Sequence, residues 1–217
     1  ELRTPLNSLL ILSKTLADNR AGNLTGEQVK FAETVYTSGN DLLQLINEIL
    51  DLSKVEAGKM PIHPQAFPLE EVRDYLERTF RPMADQKSVA FTVRMHSALP
   101  QNMFSDPTRL QQILKNLLSN AFKFTAKGSV SMSIDPDGDG NILFAVQDTG
   151  IGIAKDKQKL IFEAFQQADG TTSRKYGGTG LGLAICREMA RLLGGAIDVE
   201  SAPDQGSTFT LRMPVRY

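Results

Sequence analysis

The stretch Asp106-Pro107-Thr108-Arg109-Leu110-Gln111-Gln112-Ile113-Leu114-Lys115-Asn116-Leu117-Leu118-Ser119-Asn120-Ala121-Phe122-Lys123-Phe124 decides how the rest of the chain is read. Aspartate followed by proline is an N-cap with proline at the first helical position, where no intrahelical N–H is lost. Leu110, Ile113, Leu114, Leu117 and Leu118 then recur at helical spacing, so the helix runs to Phe124 with one face in a core. Asn116, Asn120 and Lys123 stand at i, i+4 and i+7 and project from the other face. Carboxamide oxygens suit a hard cation such as Mg²⁺, and a lysine beside them neutralises phosphate charge. Taken alone, the same pattern is also that of a solvated polar helix face.

Strands and further helices follow. Ser129-Val130 onward gives a strand over Val130 to Ile134, and Ile142 to Val146 gives another, divided by the turn-rich Asp135-Pro136-Asp137-Gly138-Asp139-Gly140. That turn lacks the terminal glutamate of an EF-hand and reads as a hairpin turn. Asp148-Thr149-Gly150-Ile151-Gly152-Ile153 closes the second strand, with glycines where a ligand or another backbone approaches closely. An aspartate there, facing a cavity, can accept a hydrogen bond from an exocyclic amine. Arg174-Lys175-Tyr176-Gly177-Gly178-Thr179-Gly180-Leu181-Gly182 leads into a helix over Thr179 to Leu193, and a helix N-terminus favours phosphate. The segment Gln166 to Lys175 is polar and aperiodic, as a lid would be. The polar Arg174 and Lys175 stand where a dinucleotide fold would need a strand, and no G-x-x-x-x-G-K-[ST] run exists, which excludes a P-loop. Upstream, Leu69 to about Asp85 reads as a helix and Val89 to Met95 as a strand. Ala196 to Glu200 and Ser207 to Met213 are the last strands. The order is mixed rather than alternating, which predicts an α+β sandwich.

The first 58 residues have a different character. Leu2, Leu6, Leu9 and Leu16 mark an apolar helix face, and Ala21-Gly22-Asn23-Leu24 turns the chain. Thr25 and Gln28 have the capping-box spacing. The helix they open carries Leu42, Leu45, Ile46, Ile49 and Leu52 to about Glu56, and Gly58 ends it before Pro61 and Pro64. A two-helix hairpin with so much apolar surface predicts a homodimer through residues 1–58, closed as a four-helix bundle. Residues 59–66 read as a linker and 67–217 as the second domain.

Composition bounds the function. Forty-one percent of the 217 residues are hydrophobic and 23% charged, as in an ordinary globular protein. Twenty-four basic against 25 acidic residues give a net charge of −1, against a nucleic-acid partner. The single Cys186 makes no intrachain disulfide, which fits a reducing compartment, and it reads as a packing residue of its helix. No apolar run approaches the roughly 20 residues of a membrane span, so no membrane contact is expected within these residues and a cytoplasmic location is.

In order and spacing, the three clusters resemble the N, G1 and G2 boxes of sensor histidine kinases. Phe162-Glu163-Ala164-Phe165 is similar to that family's F box, and Glu1-Leu2-Arg3-Thr4-Pro5-Leu6-Asn7 to the stretch after its phospho-accepting histidine. The resemblance implies a dimerisation and phosphotransfer hairpin followed by a Bergerat-type ATP-binding domain, with ATP and Mg²⁺ as cofactors. By it Asp148 binds the adenine amine, Asn120 holds Mg²⁺, and Asn116 and Lys123 support metal and phosphates. Phe124 lies beside the adenine, and Arg174 and Lys175 are lid cations for the γ-phosphate. The other residues it assigns to the nucleotide site are Gly150, Gly152, Ile153, Phe165, Gly178, Thr179, Gly180, Leu181 and Gly182.

The acceptor histidine is then expected one residue before Glu1. His63, in the linker, and His96, at a strand end, read as structural or surface residues. Glu1 falls where the family has a base that assists the imidazole, and Thr4 where it orients water for dephosphorylating a partner, so phosphatase activity is implied as well. The phosphoryl group is expected to pass to a receiver-domain aspartate of a response regulator, on the same chain as in hybrid kinases or on another. Two alternatives differ. ATP hydrolysis by a chaperone- or topoisomerase-like relative needs a glutamate where Asn116 stands. A degenerate dimeric scaffold would bind nucleotide or a response regulator without chemistry.

Overall fold

The computed structural model describes residues 3–166 and 179–217. The chain divides after Ser53 into two compact units. The first is helical: α1 (Arg3–Asp18) and most of α2 (Gly26–Glu56). The expected capping box forms, Thr25 N–H donating to Gln28 Oε1 at 2.9 Å and Gln28 N–H to Thr25 Oγ1 at 3.3 Å. Within the hairpin α1 packs through Leu10 and the buried Ser13, and Gly39 of α2 gives Leu10 the room to approach. Of the stripe expected on α1, Leu9 and Leu16 are exposed within the single chain, as are Ile11 and Leu12. Leu42 and Ile49 of α2 are exposed as well.

The second unit is an α/β sandwich. A five-stranded sheet has the order β2-β4-β5-β7-β6, formed by β2 (Ala90–Met95), β4 (Ser129–Pro136), β5 (Asn141–Asp148), β6 (Ala196–Ser201) and β7 (Ser207–Pro214). Only β2 and β4 pair in parallel. One sheet face is covered by α3 (Leu69–Lys87), α4 (Pro107–Phe124) and α5 (Gly182–Leu192). Strands β4, β5 and β7 alternate strictly: Val130, Met132, Ile134, Ile142, Phe144, Leu211 and Met213 are buried. They meet Leu110, Ile113, Leu114, Leu117 and Leu118 of α4, each 0% exposed. At roughly 1.5–3 kcal/mol per fully buried large aliphatic, this interface dominates the stability of the unit. Phe122 adds an aromatic cluster, stacked on Phe80 at 5.7 Å and edge-on to Phe91 at 5.3 Å.

Two short strands were not legible in the sequence. Residues 59–66 end in β1 (Gln65–Pro68), which pairs antiparallel with β3 (Asn102–Ser105) as a separate two-stranded sheet. Met60 is buried, and His63 N–H donates to Asp106 Oδ2 at 2.9 Å. The same Asp106, 2% exposed, caps α4 by accepting from Thr108 and Arg109 N–H at 3.0 and 3.1 Å. The helix expected from Thr179 starts instead at Gly182. Gly180 is left-handed at φ 72°, and Thr179 Oγ1 accepts from Leu181 N–H at 3.2 Å, a local turn that ends only at Leu181.

Candidate nucleotide-binding site

Helix α4 buries its leucines and thereby turns Asn116, Asn120 and Lys123 to its partly open face. Asn120 Nδ2 donates to Asn116 Oδ1 at 3.0 Å, so the two amides are held as a pair. Gly182, first residue of α5, lies directly against it: a Cβ there would come within 2.5 Å of Asn116 Nδ2. A side chain at this point would push the Asn116 amide aside. One helical turn beyond Asn120, Lys123 Nζ sits 5.2 Å from the centre of the Phe124 ring.

Asp148 ends β5 opposite Ser207 of β7 and is buried. Gly150 N–H donates to its Oδ1 at 2.8 Å, and the Ser207 N–H also bonds the carboxylate. Burial raises the pKa of Asp148 above the usual carboxylate value, and the two backbone donors only partly offset this. Gly150 itself is wedged between that carboxylate and the C-terminus of α4, where a Cβ would stand 2.4 Å from the Phe124 carbonyl oxygen. Asp148 is thus fixed beside the Phe124 end of α4, and Gly182 beside the Asn116 end. Eight residues of helix separate these ends, about 12 Å along the axis. Asn120 lies midway. A polar ligand along this face meets a carboxylate at one end and paired amides at the other.

The remaining expected residues are distributed unevenly. Gly152 is left-handed at φ 67°, and its bare Cα faces the Ala202 carbonyl. Ile153 spends its backbone on the protein: its N–H donates to Ser201 Oγ at 2.8 Å, and its carbonyl accepts from Gln158 Nε2 at 3.1 Å. Phe165 N–H donates to the Gly180 carbonyl at 3.1 Å, joining F-box and G2 segments. Phe165 is 64% exposed and has φ 64°, an uncommon backbone for a bulky residue. Leu181 is fully buried, so its side chain serves packing. Thr4 is exposed on α1. Glu1, Arg174, Lys175 and Gly178 lie outside the described residues. Among the described residues no cluster of three or more His, Cys, Asp or Glu could hold a metal ion.

Ser201, Gln158 and Ser207 are neighbours of the site that spacing does not reveal, since Ser201 lies 48 residues from Ile153. Gly206 was the available signal: at φ 80°, its missing Cβ lets the Asp148 carbonyl approach.

Residues 105–217 match the family "Histidine kinase-, DNA gyrase B-, and HSP90-like ATPase", and residues 1–58 match the "His Kinase A (phospho-acceptor) domain". The chain belongs to the histidine kinase family. The circadian input-output histidine kinase CikA of Synechococcus elongatus is 42% identical over 216 residues, covering 99% of this chain and 28% of CikA. The signal transduction histidine-protein kinase BarA of Escherichia coli K12 is 39% identical over 213 residues, covering 96% of this chain and 23% of BarA. The chain thus spans about a quarter of the length of these relatives. Among solved structures, full-length ShkA in complex with AMPPNP superposes with a TM-score of 0.83 at 33% identity, over 98% of this chain and 43% of ShkA. A helical part followed by an α/β ATPase domain is the histidine-kinase architecture, as expected. No helix among the described residues is long and apolar enough to cross a membrane.

Proposed function

We propose that this chain is the catalytic core of a two-component sensor kinase. It binds ATP along the polar face of α4 and transfers the γ-phosphoryl group to a histidine immediately preceding Glu1 in the longer protein. The observation that carries the reading is the Asn116–Asn120 amide pair, kept accessible by the missing side chain of Gly182. Asp148, buried and held by two backbone donors, accepts the adenine amine. Phe124 and Ile153 flank the base, and Gly150 and Gly152 let the turn beside it pack closely against Phe124 and Ala202. Lys123 and the cations Arg174 and Lys175 meet the phosphates. Gly178, Thr179, Gly180 and Gly182 bring the G2 segment up to them, with Leu181 and Phe165 as its anchors.

The paired amides fit Mg²⁺, with Asn120 as ligand through its carbonyl oxygen, since its nitrogen is engaged by Asn116. Bound there, the ion supplies charge neutralisation for the phosphates. The protein's own part is positioning. The imidazole nitrogen attacks the γ-phosphorus in line, the bond to the β-phosphate oxygen breaks, ADP leaves, and Glu1 takes the imidazole proton. A receiver-domain aspartate of a response regulator, in the same or another chain, then accepts the phosphoryl group. Thr4, exposed on α1, orients water for a phosphatase function, in which water attacks the phosphoaspartate of the receiver and releases inorganic phosphate. The exposed apolar residues of α1 and α2 pair two chains into a four-helix bundle, in the cytoplasm.

Autophosphorylation with γ-labelled ATP and Mg²⁺, on a chain extended upstream of Glu1, tests this. Acid-labile, base-stable label that Asn120→Ala abolishes is expected. Absence of label while ATP still binds would overturn the kinase reading.

A further inference from the structure

Ser201 makes more hydrogen bonds than a turn residue needs, and all of them converge on the base of the Asp148 site. Its hydroxyl donates to the Gly206 carbonyl at 2.7 Å and accepts from Ile153 N–H at 2.8 Å. Its third partner is Ser207 Oγ at 3.0 Å. The single Ser201 proton is already committed to Gly206, so Ser207 must be the donor in that contact, and the Ser201 hydroxyl is saturated. Gln158 closes the same junction from the other side, its Nε2 donating to the carbonyls of both Ser201 and Ile153, at 2.7 and 3.1 Å. Asp204 N–H donates to the Ile151 carbonyl at 2.8 Å. The turn after β5 and the turn between β6 and β7 are therefore fastened together by Ser201, at the end of β6, and by Gln158. What this fastening holds is Ser207, whose N–H bonds the Asp148 carboxylate, and the Gly150–Ile153 turn, whose Gly150 N–H bonds it as well.

We propose that Ser201, seconded by Gln158, is a positioning residue for adenine recognition: it sets the two backbone donors that aim the Asp148 carboxylate. This rests on the reading of Asp148 as the acceptor of the adenine amine. Removing the hydroxyl orphans the Ile153 N–H and frees both turns, so the carboxylate loses its fixed direction without losing its charge. Its effect must then be confined to ligands that use the amine.

The test is titration of the chain with ATP and with purine riboside 5′-triphosphate, which has no exocyclic amine, each with Mg²⁺. Wild type, Ser201→Ala, Ser201→Thr, Gln158→Ala and Asp148→Asn are compared, with thermal unfolding of each. Ser201→Ala is expected to cut the preference for ATP over the amine-free analogue about tenfold, the worth of one buried hydrogen bond and its orphaned partner. Ser201→Thr, which keeps the hydroxyl, should restore it, and Gln158→Ala should cut it less. Equal weakening of both nucleotides, or an unchanged preference in a folded variant, would overturn the proposal while Asp148→Asn still loses the preference. If wild type shows no preference, or Asp148→Asn keeps it, the adenine reading itself fails and the proposal falls with it.

Discussion

Helices α1 and α4 are both built on leucine at helical spacing, yet they end in opposite situations. Leu117 of α4 is 0% exposed under a sheet, whereas Leu12 of α1 is 65% exposed and Phe31 of α2 is 60% exposed. The second unit supplies its own cover: three strands with strict alternation present a flat apolar face, and α4 lies on it. The hairpin has only two helices, and burying Leu10 against Gly39 leaves the neighbouring stripe bare. Contiguous exposed apolar surface of this kind marks an interface. The contrast teaches that one unit is complete within the chain, while the other leaves an apolar face that the proposed pairing with a second copy would cover.

The sharpest way to break this contrast is to cut a core leucine in the complete unit. Leu117→Ala should cost about 2–5 kcal/mol in urea unfolding, the range for a large-to-small change in a packed core. A cost below that of a surface substitution would show that α4 is not the core helix. Leu12→Asp should spare the unfolding of the second unit. In the hairpin it should weaken self-association by about 2 kcal/mol or more, because a charge replaces an apolar contact. Sedimentation velocity reads this as dimer giving way to monomer, and a chain monomeric before the change would refute the pairing.

Smaller effects separate architecture from ligand binding inside the second unit. Gly182→Ala places a Cβ 2.5 Å from Asn116 Nδ2 and should weaken Mg–ATP binding about tenfold while the fold survives, since a side chain can move aside. Calorimetric titration with circular dichroism checks both halves. Asp148→Asn is the smallest in stability, within about 1 kcal/mol, and its sign is informative. Burial raises the folded-state pKa of Asp148, so its contribution to stability is fully present below the unfolded pKa and is lost as pH rises through the folded one. The asparagine variant should therefore unfold at the same or a higher temperature than wild type above the carboxylate range. ATP affinity of wild type should move the opposite way, rising with pH over that window as the carboxylate ionises. Parallel movement of stability and affinity would contradict the assigned role.

How much of this was legible beforehand follows from the range of each interaction. Helix α4 was readable to the residue, because its cap, its proline and its leucine period are all local. Strands β4, β5 and β7 were expected at their places, to within two residues at either end. Strands β1 and β3 were not, since each has four residues and exists by pairing across more than 30 positions. The start of α5 was misread by three residues because Thr179 forms its bond within the turn before the helix. Leu9 and Leu16 were correctly apolar, but periodicity does not say whether a stripe meets the same chain or another. At the site, Asp148 and the two asparagines stood out by type and spacing. Ser201 and Gln158 did not, because a serine and a glutamine acquire meaning only from the turns they join.

The most direct test of the site is a calorimetric titration of ATP, with Mg²⁺, into wild type, Asn120→Ala and Asp148→Asn. One site per chain is predicted, with affinity lost by about a hundredfold in each variant while both remain folded. Binding that is unchanged in either variant would place the nucleotide elsewhere and contradict the account.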